Sequence, residues 1–153
     1  MSRHKIGKFI LTFVVVAGAV IATAVDWNPT HLFNPTWHPH ARFHDAMYLF
    51  FLDGMSLIVL WLLWRRAAEP GLGVTVAVLF VAAVWTPFFY IEALIPGTSP
   101  LAADDFPALR VGGMRFAPNV IIAAVLFLMA LIGYWLTRDA GHGGQTSGWQ
   151  SAA

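Results

Sequence analysis

Four apolar stretches, each about as long as a bilayer is thick, constrain this chain more than any other feature. Crossing roughly 30 Å of hydrocarbon takes about 20 helical residues, and residues 9–25, 43–64, 72–94 and 117–137 are each of that order. Inside a bilayer a lone segment satisfies its backbone N–H and C=O groups only as a helix. A soluble bundle would interleave polar residues at a period of about 3.6. Here only 11% of residues are charged, and they gather at the margins of the runs. The expected fold is all-α: a polytopic membrane protein with a four-transmembrane-helix bundle and an ordered outward loop between helices 1 and 2.

Local signals refine this picture. Pro39 and Pro118 suit first helical positions, where a missing N–H costs nothing. Pro87 cannot donate to the Ala83 carbonyl, so the third helix should kink there. Gly18 and Ala22 make a small-xxx-small pair that permits close helix packing. Residues 141–153, rich in Gly, Ser and Gln, read as a disordered tail after a single domain over residues 1–140. No internal repeat is evident.

Orientation follows from Lys and Arg in short loops. Arg3, Lys5, Lys8, Arg65, Arg66 and Arg138 fall on one side, and Arg42, Arg110 and Arg115 on the other. Both termini are therefore expected in the cytoplasm of a cytoplasmic-type membrane, with loops 26–42 and 96–116 outside. Trp61, Trp64 and Trp135 would mark the inner boundary, and Trp27 and Trp37 the outer one. The basic start, apolar run and Ala22-Thr23-Ala24 of the first helix also fit a cleavable signal peptide. Cleavage would leave three helices.

A formal net charge of +1 provides no basic field for nucleic acid. The absence of cysteine excludes disulfides, thiolate metal sites and a cysteine nucleophile. The expected partners are the lipid bilayer, a lipophilic small molecule and a second copy of the chain.

Chemistry concentrates in the first outward loop, where four of the six histidines fall within residues 31–44 beside two Asn-Pro pairs and two tryptophans. Prolines at 29, 35 and 39 stiffen it. His40 and His44 would sit one turn apart on a helix beginning at Pro39, and such a pair can chelate a divalent metal ion with His31, His38, Asp26 or Glu92 as a third ligand. Without metal, His31, His40 and His44 are candidate proton-exchanging catalytic groups. Tyr48 shares the face of His44, and Arg42 could hold an anionic headgroup. Interfacial histidines can equally serve as plain hydrogen-bonding groups.

Two further acids enter the candidate set. Asp53 lies about 15 Å below the outer end of helix 2, where an ionisable group is expensive and reads as functional by default. Helical phase points it away from His40 and His44. Glu92 falls level with the outer loop, above aromatic residues 85 and 88–90 that could line an apolar pocket. Asp104, Asp105 and Arg110 read as solvated surface.

The segment Thr30-His31-Leu32-Phe33-Asn34-Pro35-Thr36-Trp37-His38-Pro39-His40-Ala41-Arg42-Phe43-His44 resembles the signature loop of an uncharacterised family of small bacterial and fungal membrane proteins. That signature has the form THxxNPxWxxHA(R/K)xH after an acidic residue, which Asp26 matches here. The resemblance marks His31, Asn34, Pro35, Trp37, His40, Arg42 and His44, and leaves out His38. No reaction attaches to the family beyond an acetyltransferase label on some fungal members. Two functions are thus expected to compete. One is a membrane enzyme acting on a lipid-soluble substrate, bound through Asn34, Trp37, Arg42, Tyr48, Asp53 and Glu92. The other is a non-catalytic lipid or small-molecule binder, carrier or accessory subunit.

Overall fold

The Ser2 hydroxyl accepts the Lys5 N–H at 3.4 Å and so caps the first helix, α1, which runs Arg3–Asp26. The computed structural model describes residues 1–101 and 108–138. Three more long helices follow: α2 (Pro39–Trp64), α3 (Pro70–Trp85) and, after a one-turn helix α4 (Ile91–Leu94), α5 (Pro118–Arg138). Each of the last three long helices begins on proline, whose fixed φ suits the first turn. α3 stops at Trp85 and the chain tightens into a 3-10 turn over Thr86–Phe89 around Pro87. Counting that turn with α3, four helices are long and apolar enough to cross a bilayer.

Chain neighbours are spatial neighbours. α2 lies against α1 and α3, α5 closes the ring between α3 and α1, and α1 also meets α3 across the middle. The core holds Leu11, Val14, Val15, Val59, Ala77, Val81, Ala123 and Ala130, all buried. Outward faces are equally apolar, with Phe13, Phe51, Leu57, Leu79 and Leu128 each more than half exposed, as a lipid-facing surface requires. Lipid is as apolar as these side chains, so helix association in it rests on close packing of small residues. A Cβ at Gly7 would stand 2.5 Å from the Gly133 carbonyl oxygen and 2.7 Å from Thr137 Cγ2, which fixes the α1/α5 crossing. Buried Gly18 accommodates the Trp85 indole, 3.3 Å from its would-be Cβ.

The two ends of the bundle differ. At the end bearing the termini, cations lie over rings: Arg3 over Trp135 at 4.7 Å, Lys8 over Trp64 at 4.5 Å, Arg65 over Trp61 at 5.0 Å and Arg138 over Tyr134 at 5.6 Å. The Trp64 indole N–H also donates to Thr12 Oγ1 at 2.8 Å. At the other end a two-stranded hairpin, β1 (Leu109–Val111) with β2 (Met114–Phe116), precedes α5. Gly112 and Gly113 make its turn at φ of 56° and 83°, a conformation open to glycine and suited to strand twist. The expected surface loop is therefore a hairpin around Arg110, and Gly-Gly between two short apolar–basic–apolar triplets was its signal. Asp104, Asp105 and the 141–153 tail lie outside the described residues.

Candidate functional site

A six-residue repeat builds the loop between α1 and α2, contrary to the expectation that no repeat is present. Asn28-Pro29-Thr30 recurs as Asn34-Pro35-Thr36. In the first copy Asn28 Oδ1 accepts the Thr30 N–H at 2.7 Å and its hydroxyl at 2.6 Å. In the second, Asn34 Oδ1 accepts the same groups of Thr36 at 3.0 and 2.8 Å. These are side-chain-closed turns, and the intervening proline presets the backbone for them. Backbone bonds from Leu32 to Asp26 and from Phe33 to Asn28 draw the first turn together. Buried Leu32 anchors it. Trp27 packs edge-on against Phe33 and against Phe50 of α2.

His38 ends the loop as the N-cap of α2. Its Nδ1 accepts the His40 N–H at 3.2 Å, and its carbonyl accepts from Ala41 and Arg42. That role is structural and suits a residue outside the signature.

Beneath this cap lies a cavity of about 850 Å³, within the roughly 300–1,000 Å³ usual for small-molecule sites. Ile21, Ala22 and Val25 of α1, Trp85 at the end of α3, Phe88 of the 3-10 turn and Ile122 of α5 supply apolar wall. Asp26, His31, Asn34, Trp37, Tyr48 and Asn119 supply polar atoms around it. The expected aromatic pocket thus forms from Trp85 and Phe88, but Glu92 stands exposed on α4 and does not line it.

His31 is the best-held group there. Its Nδ1 lies 2.8 Å from Thr30 Oγ1, its Nε2 lies 3.8 Å from Asp26 Oδ1, and its ring meets Trp37 edge-on at 5.8 Å. The hydrogen-bond order assigns the tautomer. Asn28 Oδ1 can only accept, so the single Thr30 hydroxyl hydrogen goes to it, and His31 Nδ1 must donate to Thr30. Nε2 is then left facing the Asp26 carboxylate at 3.8 Å, with the ring oriented through its other nitrogen.

Asp45, a residue the sequence reading did not single out, completes the cluster. It interacts electrostatically with Asp26, His31 and Tyr48. One of its carboxylate oxygens is buried with no hydrogen-bond partner. Its spacing of three residues before Tyr48 puts both on neighbouring positions of one helix face, the one signal that could have singled it out.

The remaining candidates lie elsewhere. His40 and His44 meet as expected from helical phase, with their Nε2 atoms 3.0 Å apart, but both are exposed and neither lines the cavity. The anticipated metal set of His31, His40, His44 and Asp26 therefore divides into two pairs. Among the described residues no three His, Asp or Glu side chains gather at ligand spacing. The reason is local: the Asn28 turn commits His31 to Thr30 and Asp26. Arg42 is half-buried and has no ion-pair partner among the described residues. Asp53 accepts from the Thr23 hydroxyl at about 3.4 Å, beside a separate shallow groove lined by Ala19, Val20, Ala24 and Trp27.

Comparison with curated proteins and with solved structures finds no match. A family model matches residues 9–147, a span that takes in the four long helices, the loop and the cavity wall. By that match the chain belongs to DUF6640, a family of unknown function.

Proposed function

We propose that this membrane protein binds a lipid-soluble small molecule in the cavity under the α1–α2 loop, and that His31 with Asp26 exchanges a proton with it. The single observation that carries this reading is the cavity itself, apolar toward the helices and bounded at the loop by an oriented His–Asp pair. A molecule with an apolar body and one polar group fits that division. Asn34, Trp37 and Tyr48 would position it. Any reaction here would be proton transfer at a polar group, since His31 Nε2 is the one nitrogen of the ring not committed to Thr30. The Lys/Arg asymmetry supports an outward-facing cavity with both termini cytoplasmic.

The test is extraction of the protein in a mild detergent followed by mass spectrometry of co-purified lipids and small molecules. A ligand retained by wild type, lost in Ala22→Trp, and unaffected by His40→Ala is the expected result. Retention of the same molecules by Ala22→Trp would remove the cavity from consideration.

A second reading rests on Asp53. Its carboxylate sits in a groove at the bundle surface and, among the described residues, accepts a side-chain hydrogen bond from Thr23 alone, which favours an accessory subunit that pairs with another helix there. Cross-linking from Val20 would reveal such a neighbour.

A further inference from the structure

We infer that the cavity selects a lipophilic cation, an amine or quaternary ammonium carried on an apolar body. This rests on the reading of the cavity as a ligand site and adds the charge of the ligand. Asp26 contributes a carboxylate that lies 3.8 Å from His31 Nε2, too long for a hydrogen bond. Asp45 stands behind the lining rather than in it; it acts electrostatically on Asp26, and one of its oxygens is buried with no hydrogen-bond partner among the described residues. Against these two acids stands one histidine. Among the described residues no lysine or arginine lines the cavity.

The rings of the wall make the same case from a different direction. Trp85 and Phe88 stack at 5.4 Å, and Trp37 and Tyr48 also line the cavity. At the opposite end of the bundle Trp61, Trp64, Tyr134 and Trp135 each carry a cation of the chain itself. No lysine or arginine of the described residues lines the cavity beside its rings. Aromatic faces combined with an under-satisfied carboxylate are the chemistry that recognises quaternary and protonated amines. An anionic headgroup would meet the Asp26 carboxylate here, with Asp45 behind it, and among the described residues no lysine or arginine.

The experiment uses the full chain in phosphatidylcholine nanodiscs and three probes with one dodecyl chain: dodecyltrimethylammonium, dodecanol and dodecyl sulfate. Binding is measured below micellar concentrations, with empty nanodiscs subtracted. The cation is expected to bind at least about tenfold more tightly than the alcohol, with the sulfate weakest, a tenfold ratio being about 1.4 kcal/mol. Asp26→Asn should remove most of that preference, and Asp26→Glu should restore it. Cation and alcohol binding alike to wild type would overturn the charge inference while a block by Ala22→Trp left the cavity standing. If none of the probes binds wild type above empty discs, both inferences fall together. The wild-type comparison among probes decides the matter even where Asp26→Asn does not fold.

Discussion

Gly7→Ala isolates the contact on which the α1/α5 crossing depends. The new methyl would lie 2.5 Å from the Gly133 carbonyl oxygen, 2.7 Å from Thr137 Cγ2 and 3.1 Å from Leu136 Cβ. Non-bonded carbons rest at about 3.5–4.0 Å, so the helices must part by about 1 Å at that point. Backbone oxygen cannot rotate aside as a side chain can. Overpacking of this kind costs about 1–3 kcal/mol, against a gain of up to about 1 kcal/mol from alanine's better helix propensity. The net expectation is a loss of up to about 2 kcal/mol. Gly54→Ala supplies the control, because nothing lies within 4 Å of its would-be Cβ. It keeps the propensity gain and meets no clash, so the two variants should differ by about 1–3 kcal/mol. Reversible unfolding in mixed micelles, followed by circular dichroism, measures both. Equal stability of the two variants would refute the packing argument.

Three further outcomes are expected. Reporter fusions after Arg66 should read cytoplasmic and an insertion near Pro100 should read outside, and an outside reading at Arg66 would reverse the orientation. Asn28→Ala removes two accepted hydrogen bonds of the first turn, at about 0.5–1.5 kcal/mol each, and should raise hydrogen exchange across residues 28–33 while α5 stays protected. Unchanged exchange there would mean that proline alone holds the loop. His38→Ala should cost about 1 kcal/mol through the lost helix cap and leave ligand retention intact, whereas His31→Ala should abolish retention with little loss of stability.

The four spans and the proline-marked helix starts were legible because they depend on local physics: apolar length, a missing N–H, a fixed φ. The break at Pro87 was legible for the same reason. The cavity was only half legible. Trp85 and Phe88 announced an apolar pocket by composition, but their partners from α1 and α5 depend on helix rotation, which a run apolar on all sides does not encode. The histidines show the limit most clearly. Helical spacing gave the His40–His44 contact, yet the fate of His31 turned on one asparagine side chain two residues from Thr30. Asp45 escaped notice because nothing in its own segment places it beside Asp26.

The lengths of the helices carry a consequence for the exposed histidine pair. α2 has 26 residues, hence a span of about 39 Å at 1.5 Å each, against hydrocarbon about 30 Å thick. The cation-bearing rings around Trp61 and Trp64 act as a float line at one end of that helix, so the surplus of about 9 Å emerges at the other. Nine ångströms is six residues, the turn and a half from Pro39 to His44. In an untilted helix anchored at those rings, His40 and His44 would stand clear of the hydrocarbon, with Tyr48 near the boundary. A thicker bilayer would draw the imidazoles inward and a thinner one would lift them further out, making this turn the part of the protein most responsive to the membrane around it.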